Sequence, residues 1–560
     1  MENNFVEQTK RLTGHIVDLP HRRIISGELL IEQGKIKSIT PKADIDANSP
    51  YILPGFIDSH IHIESSMLLP SNFAKIAVRF GAVGVVCDPH EIANVLGKQG
   101  VEYMINEGKN VNFHFFNGAP SCVPATCFET SGNVLDSNDV AKLLESEDIF
   151  FLSEMMNFPG VVLKDAEVMK KIQSAKQKKK PIDGHAPSLT GESLQAYTSA
   201  GITTDHECST IAEAKEKIQH GMNILIREGS AARNFDNLIP LMAKHSEKLM
   251  FCSDDKHPDD LLSGHINLLV KRSLVKGYDL FDVLTAASLN PIKHYNLPVG
   301  LLQKNDNADF IIVDNLQDFN VLSTYINGME VYNNKSGLSK DFYKTRFQTT
   351  EFPNNFHATK IQENDIKVKA ETSMIKVMEC FDGELLTKSL ECEAKIENAE
   401  VVSDLDNDIL KIVVLNRYKK GSPKVAFIKG FGFKEGAIAS SIAHDSHNII
   451  AVGVSDKAIV KAINLVVESK GGIALITNEE QDILPLKIAG LMSEKSAEEV
   501  AKKYSELNTK AKMLSKKLQA PYMTLAFMAL LVIPELKLSD KGLFDGKSFS
   551  FTNLFTEPKN

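Results

Sequence analysis

Between residues 52 and 253, short apolar runs alternate with helical stretches of roughly 15 to 30 residues, the pattern of repeated β-α units feeding a parallel sheet. Eight such runs are present: Ile52–Ile63, Ala82–Cys87, Val111–Phe116, Ile149–Ser153, Pro181–Asp183, Ile202–Asp205, Asn223–Ile226 and Leu249–Ser253. Each ends in polar residues, in order His60 and His62, Asp88, Asn117, Glu154, His185, His206, Arg227 with Glu228, and Asp254. Eight parallel strands with a polar group at each carboxyl end predict an α/β fold, a TIM-type (β/α)8 barrel whose reactive side chains converge at its C-terminal mouth.

The flanking patterns differ. Ahead of the barrel, Ile16-Val17-Asp18, Gly27–Glu32 and Lys35–Ile39 read as short strands, with Gln33-Gly34 as the last turn. Behind it, helical stretches over Gly264–Lys276 and Leu280–Ala287 stop at Asn290-Pro291, and Gly300-Leu301-Leu302 and Ala308–Asp314 read as strands again. These strands are expected to join in a discontinuous small β domain, residues 1–50 plus 298–345, beside a barrel over 51–297. The chain turns polar and irregular from Asn333 to Asn355, which sets a boundary. A C-terminal α/β domain is expected over 350–560, with apolar runs Ile409–Leu415, Lys424–Lys429, Ile449–Val454 and Gly471–Ile476. Its helices are expected at Asp456–Ser469, behind a Ser455 cap, and from Ala497 to Lys517.

Composition narrows the functional classes. At 560 residues the chain exceeds one core, and 43% hydrophobic with 24% charged residues is ordinary for a globular protein. A net charge of −9 and a pI near 6 leave no basic field for a phosphate backbone, so no nucleic-acid partner is expected and a small neutral substrate is. Met1-Glu2-Asn3-Asn4 shows no basic region before an apolar run, and no stretch approaches 18 uncharged apolar residues. No membrane association and a cytoplasmic location are therefore expected. Seven cysteines without a C-x-x-C pair read as reduced thiols. Symmetric self-association is common for such chains, but no coiled-coil stretch marks it.

The strand-end residues suggest metal chemistry. His60 and His62 are one residue apart, so the pleat puts both imidazoles on one face, able to hold one ion. His185, in D-G-H-A-P, and His206, in D-H-E, would hold a second. Glu154, in S-E-M-M-N, has two oxygens and could bridge the pair, bringing the ions to roughly 3.5 to 4 Å. Asp254, in C-S-D-D-K, could bind a metal and accept a proton from an attacking water. Imidazole and carboxylate donors suit zinc(II), iron(II) or manganese(II).

With these residues in view, the chain resembles the amidohydrolase superfamily and, within it, the bacterial branch that deaminates adenine. The resemblance rests on P-G-F-I-D-S-H-I-H-I-E-S-S-M, D-P-H-E-I-A-N-V-L-G, S-E-M-M-N-F-P-G-V, D-G-H-A-P, the D-H-E segment, C-S-D-D-K and the downstream G-A-I-A-S-S-I-A-H-D-S-H-N-I-I-A-V-G. It implies a binuclear site, frequently manganese or iron, and conversion of adenine to hypoxanthine and ammonia. Many members of the superfamily carry a carboxylated lysine at the fourth strand end. Glu154 stands there instead, which favours the deaminase branch over those that open cyclic amides.

In such a reaction Asp254 would relay a proton from water toward the departing amino group, and Glu207 would either protonate the purine N1 or merely orient His206. Glu64 and Ser66 follow the first strand and would touch the purine or start the next helix. His90 and Glu91 face the expected mouth as substrate contacts or solvated loop residues. His444-Asp445-Ser446-His447 is read either as a self-satisfied turn or as a piece of the second domain completing the pocket through His444 and His447, with the second favoured. A separate metal site there is the weaker idea.

Rival readings are an amidohydrolase acting on a cyclic amide or related nucleobase, and a noncatalytic binding protein on a degenerate barrel. The zinc nucleobase deaminases are excluded. His62-Ile63-Glu64 mimics their H-x-E, but Cys122 and Cys127 are four residues apart in between, not two, and no P-C-x-x-C follows.

Overall fold

The computed structural model describes residues 9–344, 352–382 and 384–557. The expectation for Met1–Asn4 and the centre of the expected boundary, residues 345–351, lie outside the described residues.

Eight parallel strands follow one another in chain order: β1 Phe56–Ile61, β2 Ala82–Cys87, β3 His114–Ala119, β4 Ile149–Met155, β5 Ile182–Gly184, β6 Thr204–Asp205, β7 Asn223–Arg227 and β8 Leu249–Cys252. Between β5 and β6 the Thr203 N–H donates to Ile182 O at 3.0 Å. The ring closes where the Asp254 N–H donates to His60 O at 2.9 Å and the His62 N–H to Asp254 O at 3.4 Å. The TIM-type barrel is thus observed. Its strands are apolar on both faces because helices cover the outside and side chains fill the inside.

Two expected runs are displaced. The single run Ile52–Ile63 is broken at Gly55, where a Cβ would lie 2.2 Å from Val83 Cγ1. Tyr51–Pro54 therefore belongs to a different sheet, and only Phe56–Ile61 enters the barrel. The third strand starts at His114 rather than Val111, because Val111 bridges to Tyr343 and the Asn112 N–H donates to Phe342 O at 2.7 Å.

Tyr51–Pro54 lies at the centre of an eight-stranded sheet, between Lys10–Asp18 and Phe310–Val313. Ile16 pairs with Ile52 and Ile52 with Ile312, so strands from before and after the barrel share one ladder. Gly300-Leu301-Leu302 is not a strand. Asp306 Oδ2 accepts from the Leu301 and Gln303 N–H groups at 2.8 and 3.0 Å, which curls this segment into a loop.

Downstream, a nine-stranded sheet includes Ile409–Leu415, Lys424–Lys429, Ile449–Gly453 and Gly472–Ile476. Ala437–Ser440, too short and small to stand out in sequence, is a fully buried strand between the last two of these. Its alanines let the helix Asp456–Ser469 pack close through Ile459, Ile463 and Val466. The Ser455 Oγ accepts from Ala458 N–H at 3.3 Å, as expected for its cap. This part is tied to the barrel, with the Ser493 N–H donating to Met67 O at 2.9 Å and Asn448 Nδ2 to Thr130 O at 2.8 Å. Among the described residues, no helix is long and apolar enough to cross a membrane.

Beneath the mouth, three buried carboxylates lock neighbouring strand ends. Asp58 Oδ1 accepts from Ser253 N–H at 3.0 Å, joining β1 to β8, and its Oδ2 lies 2.7 Å from His265 Nε2. Asp183 accepts from Thr204 Oγ1 at 2.8 Å and Tyr295 OH at 2.9 Å, joining β5 to β6. Asp205 accepts from Ala186 N–H at 2.9 Å and from the fully buried Lys217 at 3.0 Å, while Lys217 also donates to Ala186 O at 2.7 Å and Glu213 at 2.8 Å. Lys217→Met leaves Asp205 and Glu213 as buried charges without their cation. The expected loss is about 3–5 kcal/mol of stability by denaturant titration, and an unchanged midpoint would remove Lys217 from this role.

Candidate functional site

The strand ends deliver a dense cluster of donors into the mouth. His60 Nε2 and His62 Nε2 are 3.2 Å apart. His62 Nδ1 donates to Asp88 O at 3.1 Å, which turns Nε2 inward. Glu154 stands across from them. Its Oε1 is 3.3 Å from His62 Nε2 and 3.9 Å from His60 Nε2, while its Oε2 is 2.7 Å from His185 Nδ1 and 3.2 Å from His206 Nε2. One carboxylate therefore faces both pairs of histidines.

Asp254 approaches from β8 with Oδ1 3.2 Å from His62 Nε2 and 3.7 Å from His60 Nε2. Its φ of +51° is left-handed, a conformation Asp tolerates better than most residues, and from it the amide reaches His60 O while the carboxylate reaches the histidines. Its Oδ2 lies 2.5 Å from Arg227 Nη1, which also lies 2.5 Å from Glu207 Oε1; Arg227 Nη2 lies 3.1 Å from Glu207 Oε2. Glu207 Oε1 is in turn 3.4 Å from His206 Nε2 and 3.6 Å from His185 Nδ1.

Burial and the neighbouring charges compete over the protonation states. It pushes His60 well below the usual imidazole value, and His206 beside it adds to the effect. Burial also acts to lower His62, but Asp254 and Glu154 outweigh it and hold the ring well above. Burial would raise the carboxyl of Glu154, which His185 and its neighbours keep well below the usual range. Glu207 and Asp254, likewise opposed by burial, are held low chiefly by Arg227. This bears on Glu207 as a proton donor. In this arrangement it is ionised and gripped on both oxygens, so it starts as an acceptor.

The donor set fits a pair of divalent cations. Four buried imidazoles and three carboxylates converge, and groups drawn from His60, His62, Glu154, His185, His206, Glu207 and Asp254 have ligand atoms within 4.8 Å of one another. Hard and borderline nitrogen and oxygen donors of this kind suit zinc(II), iron(II) or manganese(II). A cleft opens above them, reached by His62, Glu154, His185, His206, Arg227 and Asp254. Met156, Ala231, Leu385, Phe527 and Leu530 give it apolar walls.

Of the expected substrate contacts, His90, Glu91 and His444 line this cleft. Glu64, Ser66 and His447 do not. Ser66 Oγ donates to Ile63 O at 2.6 Å and Glu64 Oε1 accepts from Ile92 N–H at 3.1 Å, so both serve the turn and helix behind the mouth. Burial raises the Glu64 carboxyl to about 7. His447 lies behind Glu91, its Nε2 against Glu91 Oε2.

Sequence reasoning missed Arg227 as a site residue, although a cation ending the seventh run between two acidic strand ends was a usable signal. It also missed Asp58, Asp183 and Asp205, each one or two residues ahead of a site histidine. Leu385, Phe527 and Leu530 gave no signal, since only the folded chain brings them to the barrel.

Two family profiles match the chain, Amidohydrolase family over residues 51–331 and Adenine deaminase C-terminal domain over residues 384–550. Among curated relatives, a protein of Parabacteroides distasonis named adenine deaminase is 50% identical over 548 residues, covering 98% of this chain and 99% of that protein. One of Methanosarcina mazei with the same name is 50% identical over 563 residues, covering 98% and 100%. One of Salinibacter ruber is 48% identical over 550 residues, covering 98% and 99%. With the barrel, the converging donors and these full-length relatives together, the chain belongs to the adenine deaminase family of the amidohydrolases.

Proposed function

We propose that this chain hydrolyses adenine to hypoxanthine and ammonia, using His60, His62, Glu154, His185, His206 and Asp254 as ligands of two divalent cations. The observation that carries the reading is the Glu154 carboxylate, with one oxygen toward His60 and His62 and the other toward His185 and His206. Manganese(II) or iron(II) is the expected cofactor, with zinc(II) sharing the donor set. Bound there, the cations supply a hydroxide at neutral pH by lowering the pKa of water from 15.7 to about 7.

The residues divide the remaining work. The apolar walls from Met156, Leu385, Phe527 and Leu530 hold a flat base and exclude bulk water, while His90 and Glu91 offer it polar partners. Asp254 accepts the proton of the C6 hydroxyl and hands it to the departing amino group, so that ammonia leaves as the C6–N bond breaks. Glu207, ionised at rest, takes the first proton given up by the attacking water and passes it to N1, while the second, from the C6 hydroxyl, travels through Asp254 to the amine; Arg227 holds Glu207 and Asp254 in register. Ammonia and hypoxanthine account for every atom of adenine and water. Seven free cysteines agree with a reducing cytoplasm as the place of this salvage reaction.

Three outcomes test the reading. Metal-reconstituted protein should release ammonia from adenine, with a shift of purine absorbance, in a panel with adenosine, guanine and cytosine; failure on adenine with turnover of a hydantoin or dihydropyrimidine would overturn it. Glu154→Gln should lose bound metal and turnover together, because a neutral amide bridges two cations poorly; full activity removes the bridge. Glu207→Gln should keep its metal and lose about 10²- to 10⁴-fold in kcat, and an unchanged rate would take Glu207 out of the proton path.

A further inference from the structure

The C-terminal part of the chain gives the cleft three apolar wall residues, Leu385, Phe527 and Leu530. They come from two segments far apart in sequence, and one side chain joins them. Lys537 Nζ donates to Leu385 O at 2.6 Å and to Phe527 O at 3.0 Å. Phe527 O also accepts from the Leu530 N–H at 3.2 Å, so all three wall residues are connected to one nitrogen. Thr387 closes the same joint from its other side, with Oγ1 donating to Leu536 O at 2.9 Å and the N–H to Pro534 O at 3.2 Å.

Lys537 is fully buried, and its two hydrogen bonds go to backbone carbonyls rather than to carboxylates. Burial pushes its amine down to about 7, against a smaller opposing effect of Cys380. The neutral amine still has two N–H groups, one for each carbonyl, so the bridge does not depend on the charge. An apolar side chain of the same length would fill the space with less desolvation, but it would leave the Leu385 carbonyl without this bond. What the lysine contributes is therefore geometric.

Leu385 is the wall residue that most needs an anchor. Glu384 and Leu386 on either side of it are exposed. Leu385 also lines a second cavity beside the cleft, together with Phe158, Pro187, Cys208, Asn234 and Val532. It stands on the border of the two spaces, where Glu207, Arg227 and Ala232 are shared between them.

We propose that Lys537 is a positioning residue that holds Leu385 and the turn Phe527–Leu530 as the wall against which the substrate ring binds, and keeps the cleft partitioned from the neighbouring cavity. The effect on substrate rests on the reading of the cleft as a purine site; the effect on the wall does not.

Lys537→Met keeps the length of the side chain and removes its donors. In the metal-loaded full chain, hydrogen–deuterium exchange is expected to quicken in peptides covering Leu385 and Phe527–Leu530, while peptides covering His60, Glu154 and Asp254 keep the unsubstituted rates. With adenine, KM rises about tenfold while kcat stays within about threefold at the same metal content, because a wall contact serves ground state and transition state alike. Unchanged exchange at the wall, exchange quickened throughout the barrel, or an unchanged KM would each overturn the proposal. Lys537→Gln, which retains an N–H donor on a shorter arm, shows the same changes to a smaller degree, and decides by the same two readouts should Lys537→Met fail to fold. An unsubstituted chain inactive on adenine would overturn the proposed function, and the exchange rates would still decide for or against the anchor.

Discussion

The hydrogen bond from the Asp254 amide to the His60 carbonyl, 2.9 Å long, is where fold and chemistry become one constraint. It closes the barrel between β8 and β1, and both residues it joins carry side chains into the site. A barrel that failed to close there would separate Asp254 from His60 and His62 and lose the donor cluster together with its architecture. The left-handed backbone of Asp254 is the local cost of meeting both demands, of order 1–3 kcal/mol for such a conformation, and the surrounding ladder holds it in place.

A site this rich in buried charge needs compensation. Glu154, Asp254 and Glu207 are buried around the same histidines, and Arg227 faces two of them. Burial opposes the ionised form of each carboxylate, so the neighbouring cations decide their state. Below the mouth, Asp58, Asp183 and Asp205 each accept a hydrogen bond from a group on or next to the adjacent strand; Lys217 pairs with Asp205, whereas Asp183 has hydroxyl donors and burial raises its carboxyl to about 7. The same bonds that satisfy those carboxylates fix the spacing of the strands that carry the histidines. Positioning of this kind, rather than any one reactive residue, is what a mouth assembled from separate strand ends requires.

Much of the barrel was legible because its period is local. An apolar run with a polar end is a property of about ten residues, and the runs ending at Glu154, His185, His206 and Asp254 were found within a residue or two. What lay beyond reach depended on contacts distant in sequence. The break at Gly55 follows from the close approach of Val83 from the next strand, and the late start of β3 from pairing with Phe342 and Tyr343. The strand Ala437–Ser440 is hidden because its residues are small to admit a helix that lies after it in the chain. At the site, residues at strand ends could be named. Ser66, although next to the first strand, turns its hydroxyl to Ile63 O, and no linear pattern distinguishes that from a substrate contact. Leu385 and Phe527 reach the cleft only through the assembly of the C-terminal sheet against the barrel.

The central claim is that Glu154 lies between two cations, one side served by His60 and His62 and the other by His185 and His206. The most direct measurement is anomalous X-ray scattering from crystals of the metal-loaded protein, collected at the absorption edge of the ion used. The account predicts two peaks flanking the Glu154 carboxylate, one within bonding distance of each oxygen. A single peak there, or peaks that Glu154 does not touch, would contradict it.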